Sequence, residues 1–577
     1  MNVKAFLSKA DLQTKGDLLF AVYMAIAACF LTMKATYGFS PLDIGMYMSG
    51  YEWFNSDPES LSYLGQWQLT YQVTGWLCSL FGIETFFGLR VMRIVLLLGL
   101  QTIVWLYLRR RVSPFPLLPG LLLLTLSQYG AYSELNYNDW SALWLVLAVL
   151  SYHKGLFRSR RAKLWIGLSG LAVGWAVMFR VVNLTFLLLP FAACVFTFRK
   201  ADKPQWWRQL SAFFLGVAAG FVVVVLLSWL TGSLGVLQQT WIDVLSIGGD
   251  RSDTHGLNVI VRQYAYVLFY IGISVAVLTV IVKGAYAWGL NDFGLMVLVF
   301  GYSFLVYLFL DASVVGASCS LLPIVLHGKR MWQERHELHV LYAFSVLVLF
   351  ILPLGSNAGI GFISPVMCVL SLPLALLMLD EWQYERDRRA LRAVMWMYVV
   401  CGSCMIISHF LPQMEDGKLT QCDYAIENPK AAYIMTTKEN ADIHNKLLHW
   451  AGPQIPKGSY LVSNASLPLI SLLECKPYGV FSDLYSSPKM SERYLQRTFA
   501  HTGGEKSLPY ILASLSDMRP GFEYVMAWLR AHGHYKSTYI ELELSIEEPV
   551  VEDAGSDKSK FLRDGTETRV YYLYRPE

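Results

Sequence analysis

The sequence predicts a polytopic α-helical membrane protein of about 13 transmembrane helices with a C-terminal α/β domain. Hydrophobic residues make up 55% of the 577-residue chain and charged residues only 16%, and the mean hydropathy is +0.40. A water-soluble chain of this size would be far more polar. Apolar runs fill residues 1–411, whereas residues 412–577 have the composition of a soluble domain. We therefore expect a membrane domain over 1–411 and a soluble domain over 412–577.

Thirteen apolar runs are candidates for the membrane helices, because a spanning helix needs roughly 20 mostly apolar residues. The runs that meet at Arg180, and those that meet at Asp311, could each form one bent helix. The candidates are 17–36, 89–108, 115–131, 139–152, 164–179, 182–198, 210–231, 264–283, 292–310, 312–327, 338–353, 363–379 and 393–411.

The distribution of basic residues predicts the orientation in the membrane. With the N-terminus in the cytoplasm, the cytoplasmic loops hold nearly all loop lysines and arginines; Arg180, Arg251 and Arg262 are the main exceptions. Such an excess of Lys and Arg marks the cytoplasmic side. Residues 37–88, the first loop, and the C-terminal domain then lie outside the cytoplasm, which is the periplasm for a bacterial inner membrane.

Alternating residues predict strands in the C-terminal domain at 460–463, 539–544 and 569–574, and helical spacing predicts helices at 465–473 and 522–531. Seven of the nine cysteines lie in apolar segments, where a cysteine is usually a small core residue. Cys422 and Cys475 lie in the C-terminal domain. In an oxidising compartment they could form a disulfide or stay thiols.

The first loop contains no Lys or Arg and combines carboxylates with many aromatic residues. Asp43 follows Pro41, which ends the first helix, and precedes Gly45, which lets the backbone approach a ligand closely. Its carboxylate could cap a short helix through Tyr47, or act as a general base or metal-positioned group facing an acceptor hydroxyl. Three further carboxylates of this loop are expected to be solvated: Glu52, Asp57 and Glu59.

A second carboxylate loop places Glu134 and Asp139 on the same predicted face. Asp139 opens the fourth helix and could cap it. Together the two carboxylates could bind a divalent cation or divide the roles of acid and base. The spacing leaves these alternatives open, so the metal ligands are unknown.

Few basic residues lie at this level, namely Arg90, Arg93 and Arg180. Guanidinium groups bind phosphate through paired donors, which makes a lipid phosphate a suitable ligand. The alternative is internal ion pairing. The turn at 353–361 adds Ser356 and Asn357, which could bind a phosphate or a sugar hydroxyl unless this is a plain tight turn.

The sequence lacks a Walker loop, a GxGxxG fingerprint, an HExxH helix and a GxSxG elbow. It therefore predicts neither a nucleotide site nor a nucleic-acid partner. Its histidines are scattered along the chain, which argues against a histidine metal site.

Around Pro41-Leu-Asp43-Ile-Gly-Met-Tyr47 the chain resembles the GT-C superfamily of membrane glycosyltransferases. This superfamily includes the protein O-mannosyltransferases, the lipid A aminoarabinose transferase and the oligosaccharyltransferase catalytic subunit. The similarity extends to the amphipathic segment 67–76, the many-helix body and the C-terminal domain.

The resemblance implies that Asp43 is catalytic, that Tyr47 lies in the substrate site, and that a sugar moves with inversion from a polyprenyl-phosphate carrier to an acceptor hydroxyl. Many members carry a second carboxylate after the aspartate, and here that place is Ile44. A divalent cation thus stays open, and Glu134 or Asp139 becomes the candidate second acid. The acceptor could be a glycan, a lipid or a protein. The competing functions are an O-antigen polymerase or ligase and a lipid or sugar transporter.

Overall fold

The fold is that of a computed structural model. It describes residues 9–577 except 41–42, 111, 113, 128–133, 158–159, 198–202, 248–256, 310–311, 335, 352–359, 382–389, 398–415, 417–418, 479–487, 517, 519 and 546–565. The chain forms a helical unit (Met1–Thr32, Arg93–Leu226 and Ser246–Ile407) and a mixed unit (Met33–Met92, Leu227–Leu245 and Ser408–Glu577). The predicted domain boundary at 411 and 412 lies outside the described residues.

Helices dominate the chain before residue 400. In chain order they are α1 (Lys9–Ala35), α2 (Asp43–Trp53), α3 (Gln68–Phe81), α4 (Phe86–Leu108), α5 (Pro114–Ser127), α6 (Tyr137–Phe157), α7 (Ala162–Phe179), α8 (Leu189–Thr197), α9 (Lys203–Leu230), α10 (Leu234–Ile247), α11 (Leu257–Ala287), α12 (Asp292–Phe309), α13 (Ala312–Glu334), α14 (Glu337–Ile351), α15 (Ile360–Glu381) and α16 (390–397).

Six segments of the described helices are long and apolar enough to cross a membrane. They are Gln13–Ala35, Phe86–Leu108, Tyr137–Phe157, Ala162–Phe179, Trp206–Leu230 and Tyr264–Ala285. Together with the apolar composition, these helices make the chain an integral membrane protein. The count of thirteen spans stays a prediction.

Within the helical unit, α7 and α9 pack with their backbones close together because glycines line the contact. A Cβ atom at Gly170 would overlap the Phe213 carbonyl, and one at Gly216 would overlap the Gly167 carbonyl. Small residues at this spacing let membrane helices approach closely and gain dispersion energy. After α7 the chain turns extended at Arg180 and continues as a 3₁₀ helix over Val181–Leu188. The two runs that meet at Arg180 are thus separated by a break.

The strands of the mixed unit are β1 (Tyr424–Ala425), β2 (Met435–Thr436), β3 (Tyr460–Ser463), β4 (Lys476–Pro477), β5 (Tyr510–Ser514), β6 (Tyr535–Ser545) and β7 (Thr566–Pro576). Five of them form a sheet of order β4-β3-β5-β7-β6. β3 pairs in parallel with β4 and β5, whereas β7 pairs antiparallel with β5 and β6. A separate antiparallel pair joins β1 and β2.

Four helices accompany this sheet: α17 (Lys438–Ala451), α18 (Pro468–Leu472), α19 (Pro488–Thr502) and α20 (Pro520–Ala531). The predicted strands at 460, 539 and 569 and the predicted helix at 522–531 are confirmed. The helix predicted at 465–473 is confirmed as the shorter α18.

Helix α2 lies directly on the start of α18, and Gly45 permits this contact. A Cβ atom at Gly45 would lie 2.6 Å from the Leu467 carbonyl oxygen and would overlap the Leu467–Pro468 peptide bond. Ser49 and Ser471 then meet with their hydroxyl oxygens 3.0 Å apart. The expectation that Gly45 makes room for a ligand is therefore wrong, since backbone of the same unit fills that space.

Replacing Gly45 with Ala should push α2 away from α18, because rigid main chain stands where the new methyl group would lie. We expect the free energy of unfolding to fall by about 1–3 kcal/mol, the usual cost of overpacking. Thermal unfolding of the purified protein measures this. Gly99→Ala is the control, since no heavy atom lies within 4 Å of its added Cβ. Equal stability of the two variants would contradict the contact.

Candidate functional site

Asp43 is the first residue of α2, and its side chain is outside the described atoms. Tyr47 lies one turn later, is 5% exposed, and stacks on Tyr51 with ring centroids 6.3 Å apart. Ser356 and Asn357 lie outside the described residues. The proposed roles of these four site residues stay predictions.

Arg90 holds the main chain that precedes α2. Its Nη1 donates to the carbonyl oxygens of Ala35 at 2.9 Å and Tyr37 at 3.0 Å, and its Nη2 donates to that of Gly38 at 2.6 Å. The side chain is 2% exposed. These three contacts go to carbonyl oxygens of the main chain, an arrangement that the sequence did not predict. The predicted phosphate-binding role of Arg90 has no support in these contacts.

Asp416 is a second anchor for the same segment, and sequence reasoning missed it. Its Oδ2 accepts a hydrogen bond from the Phe39 N–H at 2.5 Å, and its Oδ1 accepts from Asn440 Nδ2 at 3.0 Å. Asn440 Nδ2 also donates to the Phe39 carbonyl oxygen at 2.7 Å. Burial raises the pKa of Asp416, and the hydrogen bonds from Thr436 and Asn440 oppose that effect.

The prediction that Glu52 is solvated is wrong. Glu52 Oε1 accepts from Lys430 Nζ at 2.5 Å, and the two side chains are only 19% and 21% exposed. Burial raises the pKa of Glu52, although the charge of Lys430 works against this. The ion pair fastens α2 to the segment between β1 and β2.

The same prediction for Asp57 is also wrong. Its Oδ2 accepts from the Tyr460 hydroxyl at 2.8 Å and its Oδ1 accepts from His501 Nε2 at 2.9 Å. Burial acts to raise the pKa of Asp57, but the hydrogen bonds from Tyr460 and His501 outweigh it and hold the pKa below its usual value. The first loop is thus bonded to β3 and α19 through one carboxylate.

In the helical unit, Arg93 and Asp139 form an ion pair with Nε and Oδ2 3.1 Å apart and both side chains buried. Asp139 Oδ2 also accepts from the Asn136 N–H at 3.1 Å. Asn136 precedes α6 and Asp139 is its third residue, and Asn136 Oδ1 accepts from the Asn138 N–H at 2.8 Å. Both side chains therefore cap main-chain N–H groups at the start of the helix. The capping alternative for Asp139 is confirmed, and its predicted catalytic role stays a prediction.

Glu134 and Arg180 lie near the same end of α6. Glu134 is 4% exposed and Arg180 is 3% exposed, and the Arg180 guanidinium lies over the Tyr137 ring at 5.6 Å. The structure therefore gathers Arg93, Glu134 and Asp139 with Arg180 around the start of one helix. Buried charges of this kind are costly and mark candidate functional positions.

No cluster of three or more His, Cys, Asp or Glu side chains that could hold a metal ion occurs among the residues the structure describes. Cys422 and Cys475 are buried and carry no disulfide. Burial raises the pKa of each thiol to about 12. Cys401 and Cys404 lie outside the described residues.

These features define a polytopic membrane protein whose first loop is bonded into an α/β domain. No protein-family model matches the chain, and no curated protein sequence matches it. The structure is similar to solved structures of an oligosaccharyltransferase from Archaeoglobus fulgidus. One, the archaeal oligosaccharyltransferase AglB with an inhibitory peptide and a dolichol-phosphate, has a TM-score of 0.45 and 11% identity, covering 90% of this chain and 73% of that chain.

Two further structures of the Archaeoglobus fulgidus oligosaccharyltransferase give the same TM-score of 0.45 and identity of 11%. The one tethered to an acceptor peptide covers 90% of this chain and 72% of that chain. The one in complex with Zn and sulfate covers 89% and 71%. Similarity at this level leaves the function to be argued from the residues.

His444 of α17 packs against Phe39. Because its ring is buried, it should also make the free energy of unfolding depend on pH. The rings meet edge to face with centroids 5.3 Å apart. Nδ1 donates to the Asn440 carbonyl oxygen at 2.7 Å, and in the neutral ring Nε2 then accepts from the Ser466 hydroxyl at 2.8 Å. Burial lowers the pKa of His444 from 6.5 to about 4.

Below pH 6.5 the unfolded chain therefore binds a proton that the folded chain does not bind until about pH 4. The free energy of unfolding should fall as the pH falls through this range, by roughly 3 kcal/mol from this group. Unfolding at several pH values in native protein and His444→Gln measures the difference in slope. His449→Gln is the control, since His449 also bonds the carbonyl four residues back but is 73% exposed. Parallel curves for native protein and His444→Gln would contradict the assignment.

Proposed function

We propose that the protein is a glycosyltransferase of the GT-C kind that moves a sugar from a polyprenyl-phosphate carrier to an acceptor hydroxyl. The observation that carries the proposal is the position of Asp43. It opens α2 within a first loop that lacks Lys and Arg, and the main chain just before it is fixed by Arg90 and Asp416. An Asp that follows main chain held in this way suits a general base.

The chemistry requires little beyond such a base. The carrier phosphate is already a good leaving group, so the enzyme must orient the acceptor hydroxyl, remove its proton and stabilise the departing negative charge. Asp43 takes the role of base, and a single in-line displacement inverts the anomeric carbon. Arg180 is the candidate for the phosphate, because its guanidinium bears a charge-assisted donor set suited to phosphate oxygens.

The absent nucleotide motifs agree with a lipid-linked donor. We place the reaction on the periplasmic face of a bacterial inner membrane, with the N-terminus in the cytoplasm, from the distribution of Lys and Arg. The acceptor is a glycan, a lipid or a protein. A divalent cation is not required by this scheme, and Glu134 and Asp139 stay candidates for a second acid.

Asp43→Asn should strongly reduce sugar transfer, because an amide cannot accept the hydroxyl proton. We expect kcat to fall by about 10²–10⁴-fold, the usual contribution of a general base. Radiolabelled polyprenyl-phosphate sugars supplied to membranes that hold native or variant protein measure transfer. Glu59→Gln is the control, since it makes the same chemical change in the same loop. Full activity of folded Asp43→Asn would refute the role of Asp43.

Arg180→Gln should weaken donor binding, because it removes a charge-assisted contact to phosphate worth about 1.5–3 kcal/mol. We expect KM for the donor to rise by roughly 10- to 100-fold. Arg180→Lys should recover only part of this, since Lys lacks the paired donors. Steady-state kinetics with increasing donor concentration give the values. An unchanged KM in Arg180→Gln would remove Arg180 from the phosphate site.

A further inference from the structure

We propose that Asp416 is a positioning residue for Asp43: it binds the Phe39 N–H and thereby fixes the main chain from which α2 begins. The inference rests on the proposed function, because it takes Asp43 as the catalytic base. Asp416 does not touch the reacting atoms in this account. It acts through the backbone four residues ahead of Asp43.

The segment 35–39 is bonded at every described main-chain position. The carbonyl oxygens of Ala35, Tyr37 and Gly38 accept from Arg90. The Thr36 carbonyl accepts from the Met435 N–H at 2.7 Å, and the Gly38 N–H donates to the Met435 carbonyl at 2.9 Å. Two helices can be joined by a connection with far fewer hydrogen bonds. The bonds described here therefore fix this segment more firmly than joining α1 to α2 requires.

At the end of this segment, a glycine is followed by a residue whose N–H and carbonyl groups are both bonded to side chains. Gly38 has a φ of +79°, a conformation that favours glycine. The Phe39 N–H and carbonyl then receive opposite partners, Asp416 Oδ2 at 2.5 Å and Asn440 Nδ2 at 2.7 Å. Because Asn440 Nδ2 also donates to Asp416 Oδ1 at 3.0 Å, the two side chains form one clamp around Phe39.

Helix α2 is also held beyond Asp43, by contacts with the start of α18. Gly45 abuts the Leu467 carbonyl, and Ser49 meets Ser471 at 3.0 Å. Asp43 therefore lies between two fixed points, Phe39 and Gly45. Residues that hold a catalytic group to within a fraction of an ångström contribute to kcat, since a misplacement of about 1 Å can cost about 10²-fold.

The two carboxylate oxygens of Asp416 share only the Thr436 hydroxyl among their described partners, which permits a selective test. Oδ1 accepts from the Thr437 N–H at 3.3 Å, the Thr437 hydroxyl at 3.0 Å and Asn440 Nδ2. Oδ2 accepts from the Phe39 N–H. The Thr436 hydroxyl lies 2.5 Å from Oδ1 and 2.6 Å from Oδ2. An Asn at this position keeps most bonds when its amide oxygen replaces Oδ1. Its NH₂ group then faces the Phe39 N–H, and only that anchor to the first loop is lost.

The experiment compares Asp416→Asn with Thr436→Val in the full-length protein. Thr436→Val also removes a hydrogen bond to the Asp416 carboxylate, but it leaves the Phe39 contact intact. In Asp416→Asn we expect hydrogen exchange of the residue 36–40 amides to rise by at least about 10-fold. We also expect kcat to fall by roughly 10- to 100-fold with the donor KM within about 2-fold. Thr436→Val should change neither quantity in this way.

Faster exchange without a fall in kcat would overturn the positioning role, as would equal losses of kcat in the two variants. Unchanged exchange in Asp416→Asn would overturn the anchor itself. If Asp416→Asn does not fold, Asn440→Ala removes the bond to the Phe39 carbonyl and must lower kcat in the same way. Absence of transfer by the native protein with every donor would defeat the proposed function, whereas the exchange measurement would still decide whether Asp416 fixes the segment.

Discussion

Pairing of the main-chain groups between Ala35 and Phe39 is the constraint on which the mixed unit depends. A buried peptide group that lacks a partner costs free energy comparable to a lost hydrogen bond. At the end of α1 this demand is met by Arg90, Met435, Asp416 and Asn440. Three of these four partners come from the C-terminal part of the chain. The first loop therefore obtains its conformation from residues nearly 400 positions away.

The same dependence continues along α2. Glu52 pairs with Lys430, which lies 378 residues later, and Asp57 bonds Tyr460 and His501. Glu52 and Asp57 thus fasten the loop, since each has a described partner in the C-terminal part of the chain. Asp43 is the first residue of α2, whereas Glu52 and Asp57 hold the loop in place.

Those features of the fold that depend on local sequence could be predicted. Apolar runs located the long helices, and alternating residues located β3, β6 and β7, because burial of one face imposes a period on the sequence. Long-range partners could not be predicted. A guanidinium can donate to carbonyl oxygens or to phosphate oxygens, so the sequence could not show which of them Arg90 would bind. Likewise, nothing near Glu52 in the sequence indicates Lys430. Asp416 gave no signal either, since a single Asp at the edge of a domain is common.

If Asp43 acts from the position that the structure shows, α2 must stay docked on α18 during sugar transfer. Ser49 and Ser471 have their hydroxyl oxygens 3.0 Å apart, so the double variant Ser49→Cys, Ser471→Cys should form a disulfide that locks the two helices together. Sugar transfer would be measured with the bridge closed and again after reduction. We expect the double variant with its disulfide closed to keep its sugar-transfer activity. Activity that is lost on oxidation and restored by reduction would show that α2 must leave α18 and would contradict the account.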